Sequence, residues 1–239
     1  MHVRLMALLL LPSLGALIGA ASLRDPQPPL AGQQQVPVGD QQSPFERWYA
    51  AQPRVYMPVD ANGAAVLIVK FSDYQCPPCA KSYDNDRPIL ARYEKLFPGV
   101  VKLVTKDFPL SPGCNPLVKQ TIHAAACDAA VAVRLARRRN KSAEMEEWLF
   151  SHQPTLTPAS VREAARSVAG VTDFDQAYPQ MLAQVRTDVS LGQALGVQQT
   201  PTFFINGVRF NGEPAPQFLD MAIAYELKKA GRVPGPPGR

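Results

Sequence analysis

From Ala64 to Phe71 the chain reads AAVLIVKF, a near-continuous apolar run rich in valine and isoleucine. A run of this length without alternation predicts a strand buried on both faces. Further on, Ile89, Leu90, Tyr93, Leu96 and Phe97 recur at helical spacing until Pro98-Gly99 stops the pattern. Val100 to Thr105 then reads as a second strand, and Phe108 to Pro116, with three prolines, as a loop. The middle of the chain is helical in pattern. Leu117 to Arg138 is alanine-rich with apolar residues at helical spacing, followed by Ala143 to Phe150, Pro158 to Val168 and Asp173 to Leu195. Thr202 to Ile205 and Val208 to Phe210 flank Asn206-Gly207, the signature of a tight β-hairpin, with at least one of Phe203 and Phe204 expected in the core. A closing helix over Pro216 to Ala230 carries Phe218, Leu219, Ala222, Ile223 and Leu227 on one stripe. Strand, helix, strand, helical block, hairpin and helix together predict an α/β sheet interrupted by helices over about 115–195. Its first two strands run parallel around a crossover helix.

The ends read differently. His2 and Arg4 precede the apolar runs Leu5 to Leu11 and Leu14 to Ala21, which close on small residues before Ser22. This pattern predicts a secretory signal or signal anchor over 1–21. A Pro/Gln-rich tether over 22–44 follows, and a frayed Pro/Gly-rich tail over 232–239 ends the chain. The folded domain is expected at 45–231. Net charge is +5, thinly spread apart from Arg134, Arg137, Arg138, Arg139 and Lys141. Those cations fall at an expected helix end, where the dipole favours them and solvent can hold them. With no basic stripe interleaved with aromatics, nucleic acid is excluded as a partner.

The chemistry lies in Cys76-Pro77-Pro78-Cys79 at the junction of the first strand and its helix. C-x-x-C spacing lets two sulfurs close a small ring. It also sets the first at a helix N-terminus, where free N–H groups and the dipole favour a thiolate. Cys76 is then the nucleophile and Cys79, one turn in, the resolving thiol. A zinc site needs a second C-x-x-C or a histidine pair at ligand spacing; neither is present, so no metal and no cofactor is expected. An inert structural disulfide is the remaining alternative.

The segments FSDYQCPPC and QQTPTFFINGVRF, with the helical block between them, resemble the DsbA-like branch of the thioredoxin superfamily. More narrowly, they are similar to DsbA-like proteins associated with vitamin K epoxide reductase homologues. The resemblance spans roughly Trp48 to Ala230 and implies a thioredoxin fold with a helical insertion. It implies a periplasmic or extracytoplasmic thiol:disulfide oxidoreductase acting on exported proteins. Its partner would be a quinone-linked membrane oxidoreductase, vitamin K epoxide reductase-like or DsbB-like, that reoxidises Cys76 and Cys79. It further implies that Pro201 is the cis proline facing the pair, with the Thr200 backbone free to bind extended substrate; X-Pro is the bond at which cis is accessible.

Two positions depart from that family. Strong oxidants carry a histidine where this chain has Pro77-Pro78, so a less acidic Cys76 is expected. Many relatives hold a buried carboxylate where this chain has Lys70, which either faces the pair and favours the thiolate or is an ordinary edge lysine. Cys114 and Cys127 form a structural disulfide, as the resemblance also implies, or stay as buried thiols, or join His123 as metal ligands. His123 otherwise reads as a packed or capping residue. The leading expectation is an oxidase; a reductase or isomerase, and a non-catalytic chaperone, are the rivals.

Overall fold

A computed structural model of the chain describes residues 42–232. The expected signal segment, most of the tether and the tail from residue 233 lie outside the described residues. Four strands form one sheet in the order β2-β1-β3-β4: β1 (Val66–Ser72), β2 (Val101–Asp107), β3 (Thr202–Ile205) and β4 (Val208–Asn211). β1 pairs parallel with β2 and antiparallel with β3, and β3 with β4 makes the hairpin. The helix α2 (Pro77–Leu96) crosses over between the two parallel strands. Asn206 and Gly207 both take positive φ at the hairpin turn, and a Cβ on Gly207 would stand 2.4 Å from the Val55 carbonyl. Only glycine fits there.

Every residue of β1 is buried, and the pleat divides them between two cores. Val66 and Ile68 pack with Phe203, Tyr49 and the apolar stripe of α7 (Pro216–Lys229). Leu67, Val69 and Phe71 pack with Phe108, Val189 and Phe204. Phe203 and Phe204 are therefore both core, one on each face. The helices α3 (Ala126–Arg137), α4 (Ser142–Ser151), α5 (Pro158–Ala169) and α6 (Phe174–Ala194) form the insertion around a third core centred on Val131, Leu135, Met145, Leu149 and Val161.

Three details differ from the sequence pattern. α3 starts at Ala126 rather than Leu117. The segment ahead of it is irregular because the Leu110 carbonyl accepts the Ile122 and His123 N–H groups and a disulfide ties Cys114 to Cys127; both compete with helix. A short helix, α1 (Pro44–Ala50), starts at the end of the expected tether and is fixed by a capping box between Ser43 and Glu46. The arginine cluster is not merely a solvated helix end. Arg134 is largely buried and bridges Asp107 of β2 to Asp188 of α6.

α6 reaches the sheet at Gly192, where an added Cβ would lie 2.7 Å from the Phe108 ring and 3.1 Å from Phe71. Both rings are buried and stand edge to face, so neither can yield easily. Gly192→Ala is expected to lower stability by about 2 kcal/mol through overpacking, read as a lower denaturant midpoint with an unchanged slope.

Candidate active site

β1 ends at Ser72, and the turn Asp73-Tyr74-Gln75 delivers Cys76 to the N-cap of α2. Cys76 and Cys79 stand as thiols, Cys76 only 5% exposed and Cys79 fully enclosed. A partner can thus reach Cys76 first. The next two helical positions are Pro77 and Pro78, which remove two of the N–H groups a helix start normally leaves free. The Cys79 N–H remains, donating to the Cys76 carbonyl at 2.9 Å while also facing the Cys76 sulfur. The Cys76 thiol is drawn down to about 6, chiefly by a hydrogen bond from the Cys79 thiol, against the opposing effect of burial. The Thr200 side chain and the Cys79 backbone N–H help, and the Asp73 carboxylate opposes. Burial, together with the neighbouring Cys76, pushes Cys79 well above an ordinary thiol. One acidic, barely exposed sulfur and one reluctant, fully enclosed sulfur behind it is the asymmetry that disulfide exchange needs.

The opposite wall is Thr200-Pro201, whose peptide bond is cis. The Cys76 thiol donates to the Thr200 carbonyl at 3.4 Å. The buried Thr200 hydroxyl has no partner within hydrogen-bond geometry and is available to a thiolate formed beside it.

Several residues at the site carry no signal that the sequence pattern exposes. The Asp73 carboxylate accepts the N–H groups of Gln75 and Leu110, each at 2.7 Å, and meets Nδ1 of His123 at 2.8 Å. The Gln75 side chain accepts the Ala125 N–H at 2.8 Å. The Gln153 side chain donates to the Tyr74 and Cys76 carbonyls at 2.8 and 2.9 Å. Together they clamp the motif turn to the insertion. Their one hint in the sequence is adjacency, since Asp73 and Gln75 flank the motif; His123 and Gln153 lie too far along the chain to be paired by inspection.

Cys114 and Cys127 are joined, with Cα atoms 5.9 Å apart. His123 lies between them and faces Asp73 rather than a metal set, and no cluster of potential metal ligands occurs among the described residues. Lys70 is not an edge lysine. It lies in the central strand, 4% exposed, with Nζ 3.1 Å from Asp86 Oδ2 and 5.2 Å from the Phe203 ring centre. Ser82 donates to the same carboxylate at 2.8 Å. Lys70 and Asp86 line a cavity of about 260 Å³ with Ser72, Tyr74 and Glu146, and neither redox cysteine reaches it.

Fold and site together define a protein of thioredoxin fold with a C-x-x-C thiol pair at the head of its first crossover helix. A family model described as Thioredoxin matches residues 60–224, and the chain belongs to that family. Similar solved structures include a thioredoxin-like oxidoreductase from Silicibacter pomeroyi DSS-3, 21% identical with a TM-score of 0.54 over 73% of this chain and 91% of that one. Oxidised BdbD from Bacillus subtilis is 23% identical, with a TM-score of 0.54 over 74% and 93%. These likenesses are of fold. Among curated relatives, a protein named Na(+)/H(+) antiporter NhaA 3 from Salinispora tropica is 29% identical over 170 residues, covering 70% of this chain and 24% of the relative. This chain therefore spans about a quarter of that relative's length.

The Lys70–Asp86 pair is buried, so removing one partner strands the other charge. Lys70→Met is expected to cost about 3 kcal/mol, with most of it recovered in Lys70→Met/Asp86→Leu. The ionisation midpoint of Cys76 should stay where it is, because Asp86 already holds the ammonium. A moved midpoint would return Lys70 to the exchange chemistry.

Proposed function

We propose that this protein is an exported oxidase that introduces disulfides into secreted or periplasmic proteins. The supporting observation is the Cys76 sulfur drawn down to about 6 beside a Cys79 thiol pushed up. Stabilising the thiolate stabilises the reduced pair, so the oxidised pair gains a tendency to take electrons. An acidity near 6 lies between about 7 for thioredoxin and about 3.5 for DsbA, in keeping with a proline dipeptide that supplies no imidazolium.

In the reaction, a substrate thiolate attacks Cys76 of the Cys76–Cys79 disulfide. A mixed disulfide forms at Cys76 as Cys79 leaves. A second substrate thiolate then attacks the substrate sulfur of that bond, releasing oxidised substrate and the Cys76 thiolate. Running backwards, Cys79 resolves the same intermediate, which is how the pair would act as a reductase. A quinone-linked membrane oxidoreductase, vitamin K epoxide reductase-like or DsbB-like, takes the two electrons and restores the disulfide. Extended substrate would lie along Thr200-Pro201, where proline leaves no N–H to compete.

Export is supported by the apolar N-terminal pattern and by the Cys114–Cys127 disulfide, since such bonds persist in oxidising compartments. Among the described residues no helix is long and apolar enough to cross a membrane.

The reduction potential is expected between the values of about −270 mV for thioredoxin and about −120 mV for DsbA. The oxidised protein should form disulfides in a reduced, unfolded substrate at stoichiometric yield. Offered a disulfide-bearing substrate, Cys79→Ser should accumulate the mixed disulfide, because Cys76 attacks it and no second thiol resolves the bond, and Cys76→Ser should abolish transfer. A potential at the thioredoxin end, with net reduction of the substrate, would establish the reductase instead. Full substrate-holding activity in Cys76→Ala without any exchange would establish a chaperone.

A further inference from the structure

Disulfide exchange at Cys76 makes no direct use of the acid–base pair beside it, Asp73 and His123. The Asp73 side chain is fully buried and His123 14% exposed. Asp73 belongs to the same turn as both thiols. Its carbonyl accepts the Cys76 N–H at 3.1 Å, and its N–H points at the Cys79 sulfur at 3.5 Å. A buried anion at that place works against a second anion on Cys76. His123 arrives from the other side, on the segment between Cys114 and Cys127. Its backbone N–H donates to the Leu110 carbonyl at 3.2 Å, while the Leu110 N–H donates to Asp73 Oδ2 at 2.7 Å. The ring is thus brought to the carboxylate by backbone geometry as well as by charge. Among the described residues, the titratable groups that act on His123 are Asp73, from the turn, and Cys76, at the head of α2. Both favour the imidazolium, Asp73 most strongly through its hydrogen bond.

We propose that His123 is a positioning residue of the exchange reaction: its imidazolium, held on Asp73, cancels the buried carboxylate charge that would otherwise oppose the Cys76 thiolate. The cation absent from the proline dipeptide is supplied from the irregular segment ahead of α3, some fifty residues along the chain from Asp73. This inference rests on exchange at Cys76 and deepens it. It has a corollary: when the pair is oxidised, Cys76 carries no charge, and His123 holds its proton less tightly.

The test is the ionisation of Cys76 in the reduced full-length protein, followed by thiolate absorbance, for wild type, His123→Gln, Asp73→Asn and the double variant. His123→Gln should raise the midpoint by about one pH unit, a tenfold loss of thiolate below it. In the Asp73→Asn background the same substitution should change the thiolate fraction by less than twofold. An unmoved midpoint in His123→Gln, or an equal rise in both backgrounds, overturns the proposal, because the histidine then does not act through Asp73. Should the variants fail to fold, magnetic-resonance titration of His123 in the wild type decides. A higher midpoint in the reduced than in the oxidised protein supports the proposal, and equal midpoints overturn it. A wild-type Cys76 that ionises like an ordinary thiol would instead remove the exchange reading itself.

Discussion

A negative charge on the Cys76 sulfur must be tolerated at a place that is nearly closed to water. Burial works against it, and so does the carboxylate of Asp73. Two of the backbone donors that a helix start would offer are missing because Pro77 and Pro78 occupy the first turn. What remains is a small set of donors: the Cys79 thiol, the Cys79 N–H and the Thr200 side chain. A thiol whose ionisation falls from the ordinary value near 9 to about 6 contributes stability to the reduced fold. That contribution is complete above about pH 9 and is lost as pH falls through 6. Cys79, raised by burial and by its neighbour's charge, stays protonated through that window. The difference between the two sulfurs, set by a few ångströms of depth, is what gives the pair a direction of attack.

The rest of the fold keeps those donors in place. β1, buried on both faces, fixes where the turn begins, and β3 beside it fixes where Thr200-Pro201 stands. The insertion is fastened to the same turn through Asp73, Gln75 and Gln153, whose partners lie between 37 and 81 residues away in sequence. The helical domain is therefore part of the site. Gln153 in particular holds the Cys76 carbonyl, so the orientation of the nucleophile's own backbone depends on a residue of the insertion.

Much of this is legible in the sequence where the physics is local. The unbroken apolar run of β1 signals two buried faces, Asn206-Gly207 signals a hairpin, and C-x-x-C after a strand signals a thiol pair at a helix start. Lys70 shows where local reading stops. In a strand covered on both sides, alternation cannot say whether a lysine meets solvent, the thiols or a buried carboxylate, and Asp86 on the facing helix settles it. The start of α3 is obscured because alanine-rich spacing continues through residues whose backbone is committed to Leu110 and to the disulfide. The helix at Pro44–Ala50 carries a Ser-x-x-Glu capping signal, hidden by the proline and glutamine around it. In the sequence His123 reads as a packed or capping residue, or as a metal ligand beside Cys114 and Cys127; its contact with Asp73 at 2.8 Å exists only in the fold.

The most direct measurement is the pH dependence of Cys76 alkylation in the reduced protein, with Cys79 left intact. The rate should reach half of its plateau near pH 6, with Cys79 unmodified throughout. A rate that keeps climbing until about pH 9 would mean that the donors at the head of α2 do not stabilise the thiolate, and would contradict an exchange reaction driven by an acidic Cys76.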